Sequence, residues 1–248
     1  MNRNPILKAL SSMRKSGART LLMGGQACVF YGAAEFSRDL DLLILADPAN
    51  FNRIRSALAD LNAQPIAVPP FDAGFLSRGH AVHFRCQRDD VKGLRIDLMS
   101  VLRTGANFED MWDRRTTIEI EGAPVDLMAL EDLVNAKKTQ RNKDWPMISR
   151  LMERSYFTRD AIVTVELAGF WMRELRTAEL LIEVSVAWPE IAQAVQSERP
   201  AVRAAVEGDV SRVAVALEEE ERAERSRDRE YWEPLKKELE QARRKGTS

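Results

Sequence analysis

The sequence is poor in the residues that build disulfide scaffolds and soft-metal centres. Its 248 residues include two cysteines, Cys28 and Cys86, and two histidines, His80 and His83. Two cysteines in a long chain argue against a disulfide framework and fit a reducing compartment, and the sequence has no zinc cluster of Cys/His type. If His80–Gln87 is a strand, the odd spacing of the histidines puts them on opposite faces, so they make poor partners for one metal. No apolar run is long enough to span a bilayer, and the N-terminal segment lacks the apolar stretch of a secretory signal; a cytoplasmic, membrane-free enzyme is the expectation. An excess of either charge is also missing. With 37 Lys and Arg against 38 Asp and Glu, the net charge is −1, so attraction for nucleic acid would need a local basic patch. Neither an internal repeat nor a low-complexity linker is found.

What is present centres on one stretch, Met23-Gly24-Gly25-Gln26-Ala27-Cys28-Val29-Phe30-Tyr31-Gly32 running on to Ser37-Arg38-Asp39-Leu40-Asp41-Leu42-Leu43-Ile44. Thr20–Met23 reads as a strand broken by the glycine pair, Gln26–Tyr31 as a short helix, and Asp39–Leu45 as a second strand. Asp39 and Asp41 lie two apart on it, so both side chains leave one face, with Cα atoms ~6.6 Å apart. Two carboxylates that close would repel by on the order of 4 kcal/mol at about 4 Å and protein-like dielectric. A divalent cation removes that penalty, and hard oxygen ligands suit Mg²⁺, with Mn²⁺ as an alternative. Gly24 and Gly25, without Cβ atoms, let a phosphate approach the backbone.

Gly-Gly, a short helix, Ser37 and Asp-x-Asp in this order resemble the nucleotidyltransferases of the DNA polymerase β superfamily, over roughly residues 18–155. The likeness is greatest to the stand-alone bacterial branch that includes AbiEii-type toxins and antibiotic nucleotidyltransferases. The resemblance implies transfer of a nucleoside monophosphate from an NTP to an acceptor, with pyrophosphate released. It implies two metal ions on Asp39 and Asp41, and phosphates cradled by Gly24, Gly25 and Ser37. Asp97, in Leu94-Arg95-Ile96-Asp97-Leu98-Met99, is an acid amid aliphatics and must be paired or metal-bound. A neighbouring arginine would satisfy it; the resemblance makes it the third metal carboxylate. The Leu130-Glu131-Asp132-Leu133 helix carrying Lys137 and Lys138, then Arg141 and Lys143, also resembles this family, in which such groups face the nucleotide. A solvated basic turn is the plain alternative.

The rest of the chain supports an α+β architecture: a nucleotidyltransferase-like core with a small mixed sheet flanked by helices over 1–128, then a helical region over 129–248. Residues 129–155 are expected to complete the cleft. Asn4-Pro5 and Asp47-Pro48 mark helix starts. Pro65–Val68 reads as a brief strand and Phe71–Gly79 as a loop. His80–Gln87 and Leu94–Val101 read as an antiparallel pair beside the acidic strand, Phe108–Trp112 as a short helix, and Thr116–Ile120 with Pro124–Leu127 as a hairpin. The charge-rich Ser211–Lys245 reads as a solvated or partner-facing helix, interrupted near Pro234. It is the expected docking point for any protein partner, such as an antitoxin.

The acceptor is open, with RNA favoured over a small molecule or a protein hydroxyl. The alternatives are a catalytically silent binding or regulatory module of the same fold and an antibiotic-type enzyme. An Asp-x-Asp glycosyltransferase is disfavoured by the glycine pair upstream of the acids.

Overall fold

Alternating apolar residues and well-placed caps build most of the first unit. The computed structural model describes residues 4–158 and 162–246, which divide into two compact units. The first comprises residues up to Phe30, Ala34–Ala136 and the chain from Tyr231 onward; the second comprises Tyr31–Ala33 and Lys137–Glu230. The division expected from the sequence is 128/129; the contacts divide the chain at Ala136/Lys137.

In the first unit, α1 (Pro5–Lys15) begins where the Asn4 side chain accepts from the Ile6 N–H. There follow β1 (Thr20–Met23), α2 (Gly24–Phe30), β2 (Asp39–Ile44) and α3 (Pro48–Asp60), the last capped by Asp47 accepting from Asn50 N–H. Next come β3 (Ala63–Pro65), α4 (Ala73–Ser77), β4 (Val82–Cys86), β5 (Arg95–Met99), α5 (Phe108–Asp113), β6 (Thr116–Ile120), β7 (Ala123–Leu127) and α6 (Leu130–Ala136). The strands form one mixed seven-stranded sheet among the described residues, in the order β3-β4-β5-β2-β1-β7-β6. β2 pairs antiparallel with β1 and parallel with β5, and β5 pairs antiparallel with β4. This is the mixed sheet with flanking helices read from the sequence.

Period-two alternation gives the central sheet one greasy and one polar face. Leu40, Leu42, Ile96, Leu98, Val82 and Phe84 are buried on the first face, where Phe71 meets both Phe84 and Phe51 edge-on. Buried Asn50 ties α3 to the strand ends: its side chain accepts from Arg19 N–H and donates to the carbonyls of Arg19 and Leu45. That satisfies backbone groups which burial would otherwise leave costly.

Several boundaries differ from expectation, some for local reasons and some through distant contacts. The brief strand is Ala63–Pro65, an edge position where proline's missing donor costs no ladder bond. Phe71–Gly79 holds the short helix α4, because Asp72 caps it at Gly74 N–H. His80 precedes the strand and is buried, with Nε2 2.8 Å from Glu238 Oε2. The final helix α12 (Val210–Gly246) runs through Pro234 without interruption. Its later turns are held by buried Leu235 and by Glu238, which pairs with Arg78 and His80; these contacts offset the hydrogen bond that proline removes.

The second unit is all-helical: α7 (Asp144–Phe157), α8 (Val165–Glu174), α9 (Ala178–Ala187), α10 (Pro189–Val195), α11 (Pro200–Val206) and α12 as far as Glu230. Trp145, Ile148, Leu151, Trp171, Leu181 and Val202 form its buried core. Buried Arg199 donates to the carbonyls of Met172 and Leu175, satisfying the C-terminal end of α8. Among the described residues no helix is long and apolar enough to cross a membrane.

Candidate functional site

Register places the acidic pair in the middle of the polar face. Asp41 stands opposite Met23 on β1 and Asp97 on β5, and Asp97 stands opposite His83 on β4. Two residues away along β2, Asp39 stands opposite Arg95, which stands opposite Arg85, which stands opposite Gln64 on β3. Directly paired residues share a face, so these two rows are neighbours on one side of the sheet. Asp39 and Asp41 are half-buried, while Arg85 and Gln64 are exposed.

The glycine pair has a use that the sequence does not disclose. A Cβ on Gly24 would fall 2.5 Å from Cγ of Asp41, and one on Gly25 would fall 2.7 Å from the Ser37 hydroxyl. Gly24 also has φ +68°, a conformation that side chains disfavour. The Asp41 carboxylate and the Ser37 side chain therefore lie directly against backbone that only glycine leaves open. Ser37 Oγ also donates to the Asp39 carbonyl at 3.4 Å.

Asp97 is paired in the way its surroundings demand. Its Oδ1 accepts from Arg95 Nε at 2.7 Å and lies 2.8 Å from His83 Nδ1, and Arg95 Nη2 lies 3.1 Å from the same imidazole nitrogen. Burial pushes the Asp97 carboxyl up, but the hydrogen bonds from His83 and Arg95 together hold it below the usual carboxylate range. The Arg95 guanidinium is in turn held charged, first by its bond to Asp97 and then by the charges of Asp97, Asp39 and Asp41.

The donor chemistry fits a hard divalent cation at Asp39 and Asp41: two carboxylates on one face, with Asp41 seated against the bare backbone of Gly24. Among the described residues no group of three His, Cys, Asp or Glu is arranged to hold a metal, and Asp97 directs Oδ1 to Arg95 and His83.

The basic set belongs to the second unit, and most of it is committed there. Lys137 and Arg141 both pair with Asp144, whose carboxylate also accepts from the Thr139 hydroxyl at 2.6 Å; Lys138 pairs with Glu174. Burial raises the Asp144 carboxyl, but Lys137, Thr139 and Arg141 outweigh it and lower it. Lys143 is exposed and has no carboxylate partner among the described residues. Asp228 on α12 accepts from Gln140 N–H and so fixes the turn that carries these residues.

Sequence reasoning passes over Arg95 and Arg85 as individuals. Strand alternation is the signal available: Arg95 lies two residues before Asp97, and Arg85 two after His83.

No protein-family model matches the chain, and no curated protein matches it. Solved structures that match include an antigenic nucleotidyltransferase-like protein from Paracoccidioides brasiliensis, at 17% identity and a TM-score of 0.41, over 82% of this chain and 92% of that one. A likeness this distant carries no inference about the present chain.

Proposed function

We propose that the polar face of the sheet is the active site of a nucleotidyltransferase, which moves a nucleoside monophosphate from an NTP to an acceptor hydroxyl. The observation that carries this reading is the close packing of the Asp41 carboxylate on Gly24, beside Asp39 on the same face and Ser37 against Gly25. It joins the two halves of the sequence motif into one site. Asp39 and Asp41 would hold Mg²⁺, which when bound neutralises charge on the triphosphate. Gly24, Gly25 and Ser37 flank the pair on the β1 side, where the phosphates would lie.

The acceptor oxygen forms a bond to the α-phosphorus while the bond from that phosphorus to the β-phosphate oxygen breaks. Pyrophosphate leaves with the electron pair of the broken bond, and the hydroxyl proton passes to solvent water. Asp97 lies level with Asp41, on the far side from the glycines, and serves as the third acid of the site. An RNA acceptor would fit a toxin-type role within a toxin–antitoxin pair; a small-molecule acceptor would fit an antibiotic-type enzyme.

The test is incubation with each α-labelled NTP, Mg²⁺ and separate RNA, protein and small-molecule fractions. Label appearing in one fraction, and absent with the Asp39→Asn, Asp41→Asn double variant, supports the reading. Nucleotide binding without label in any fraction would favour a silent binding module.

A further inference from the structure

We propose that the acceptor carries a phosphate and lies along the cross-strand row Asp39–Arg95–Arg85–Gln64, with the Arg85 guanidinium holding that phosphate. This rests on the nucleotidyltransferase reading above and adds the acceptor's chemistry and direction of approach.

The polar face is lopsided about the acidic pair. On the β1 side, the neighbours of the acids are the Gly24 backbone against Asp41 and the Gly25 backbone against Ser37, where the proposed function puts the phosphates. On the other side, the row runs over β5 and β4 to β3 and opens outward. Asp39 is half-buried, the Arg95 side chain is 37% exposed, and Arg85 and Gln64 are exposed. With the triphosphate on the β1 side, the acceptor's remaining room is over β5, β4 and β3.

Arg85 is uncommitted on that route. Arg95 is bound to Asp97, and Arg88 to Asp60 and Asp90. Arg85 has no carboxylate partner among the described residues, although it sits in mid-strand between buried Phe84 and Cys86. Its backbone is fixed by the β4–β5 and β3–β4 ladders, so the guanidinium starts from a rigid base. A guanidinium presents a planar fork that matches a phosphate in two-point contact. Two strand spacings separate β2 from β4, about 10 Å. The acceptor must therefore be extended, with its attacking hydroxyl at the acidic pair and its phosphate about that far away.

The experiment uses the full chain with Mg²⁺ and a mixture of the four α,β-methylene nucleoside triphosphates, which occupy the site without transfer. Binding of a short fluorescein-labelled single-stranded RNA is followed by anisotropy at several salt concentrations, for wild type, Arg85→Ala and Arg85→Lys. Ribose 5-phosphate serves as the small competitor, and nucleotide binding is measured separately in each protein. The expected result is RNA binding roughly tenfold weaker in Arg85→Ala, with a log–log salt slope shallower by about 0.7. Arg85→Lys should recover part of both, and nucleotide binding should be unchanged. Ribose 5-phosphate binding to wild type and lost in Arg85→Ala, without RNA binding, would support the same site with a small phosphate acceptor. Wild-type binding of neither probe, or binding of both unaffected by Arg85→Ala, would overturn the proposal while nucleotide binding stood. Absence of nucleotide binding in the wild type would instead remove the reading beneath it.

Discussion

The carboxylate of Asp41 lies against the α-carbon of Gly24, in the space that any side chain there would fill. Gly24→Ala therefore meets two obstacles, a left-handed φ of +68° and an overlap with Asp41. Gly122 has φ +74°, and a methyl group there would meet nothing within 4 Å, so Gly122→Ala meets only the first. Gly122→Ala should cost ~1 kcal/mol, and Gly24→Ala at least ~1 kcal/mol more, with nucleotide binding lost only in the latter. Urea unfolding of both variants measures the difference. Equal costs would mean that the Asp41 side chain moves away freely.

Replacing Asp39 and Asp41 together by asparagine should abolish nucleotide transfer and leave the fold intact. Relief of repulsion between the carboxylates favours the variant. Arg95, however, is held charged partly by both acids, and that attraction is lost. The two effects oppose each other, so the metal-free stability should change by less than ~1 kcal/mol. A circular dichroism melt checks the fold, and a large drop would reassign the pair as structural.

Much of this is legible in the sequence because it is local. The caps at Asn4 and Asp47, the hairpin of β6 and β7, and the shared face of Asp39 and Asp41 each depend on residues a few positions apart. The β4–β5 pair also lies beside the acidic strand as read, although that pairing joins residues far apart in the chain. The remainder depends on distant partners. Pro234 would end a solvated helix, and burial of Leu235 with the pairing of Glu238 to Arg78 and His80, 160 and 158 positions away, explains why this one continues. The glycine pair reads as room for phosphate, and its contact with Asp41 and Ser37 needs the β1–β2 pairing to be seen. The pairing of Lys137 and Arg141 with Asp144 is local, but residue type and position alone do not distinguish a carboxylate from a phosphate as the partner of such cations.

Asp97 sets a pH dependence with a definite sign. Its folded carboxyl titrates below the ordinary value of 3.8, so its bonds to Arg95 and His83 contribute stability above that pH, and the contribution is lost as pH falls through the folded value. The stability difference between wild type and Asp97→Asn should persist from neutrality down to about pH 4 and shrink on further acidification. Urea unfolding across that range tests it. A difference that grows below about pH 4 would contradict the assignment.

Asp144 should matter to the second unit far more than Lys143. Asp144→Ala leaves Lys137, with an 8% exposed side chain, buried without its counter-charge, at a cost of ~3–5 kcal/mol. Exposed Lys143→Ala should change stability by less than ~0.5 kcal/mol. Hydrogen exchange over residues 137–157 reads the effect where it arises: protection should fall in the first variant and hold in the second.

The most direct test of the central claim is calorimetric titration of the full chain with the four α,β-methylene nucleoside triphosphates, with Mg²⁺ and then with EDTA. Binding that requires Mg²⁺ and disappears in the Asp39→Asn, Asp41→Asn double variant is the predicted result. Binding that is indifferent to EDTA, or that survives in the double variant, would contradict a metal–nucleotide site on Asp39 and Asp41.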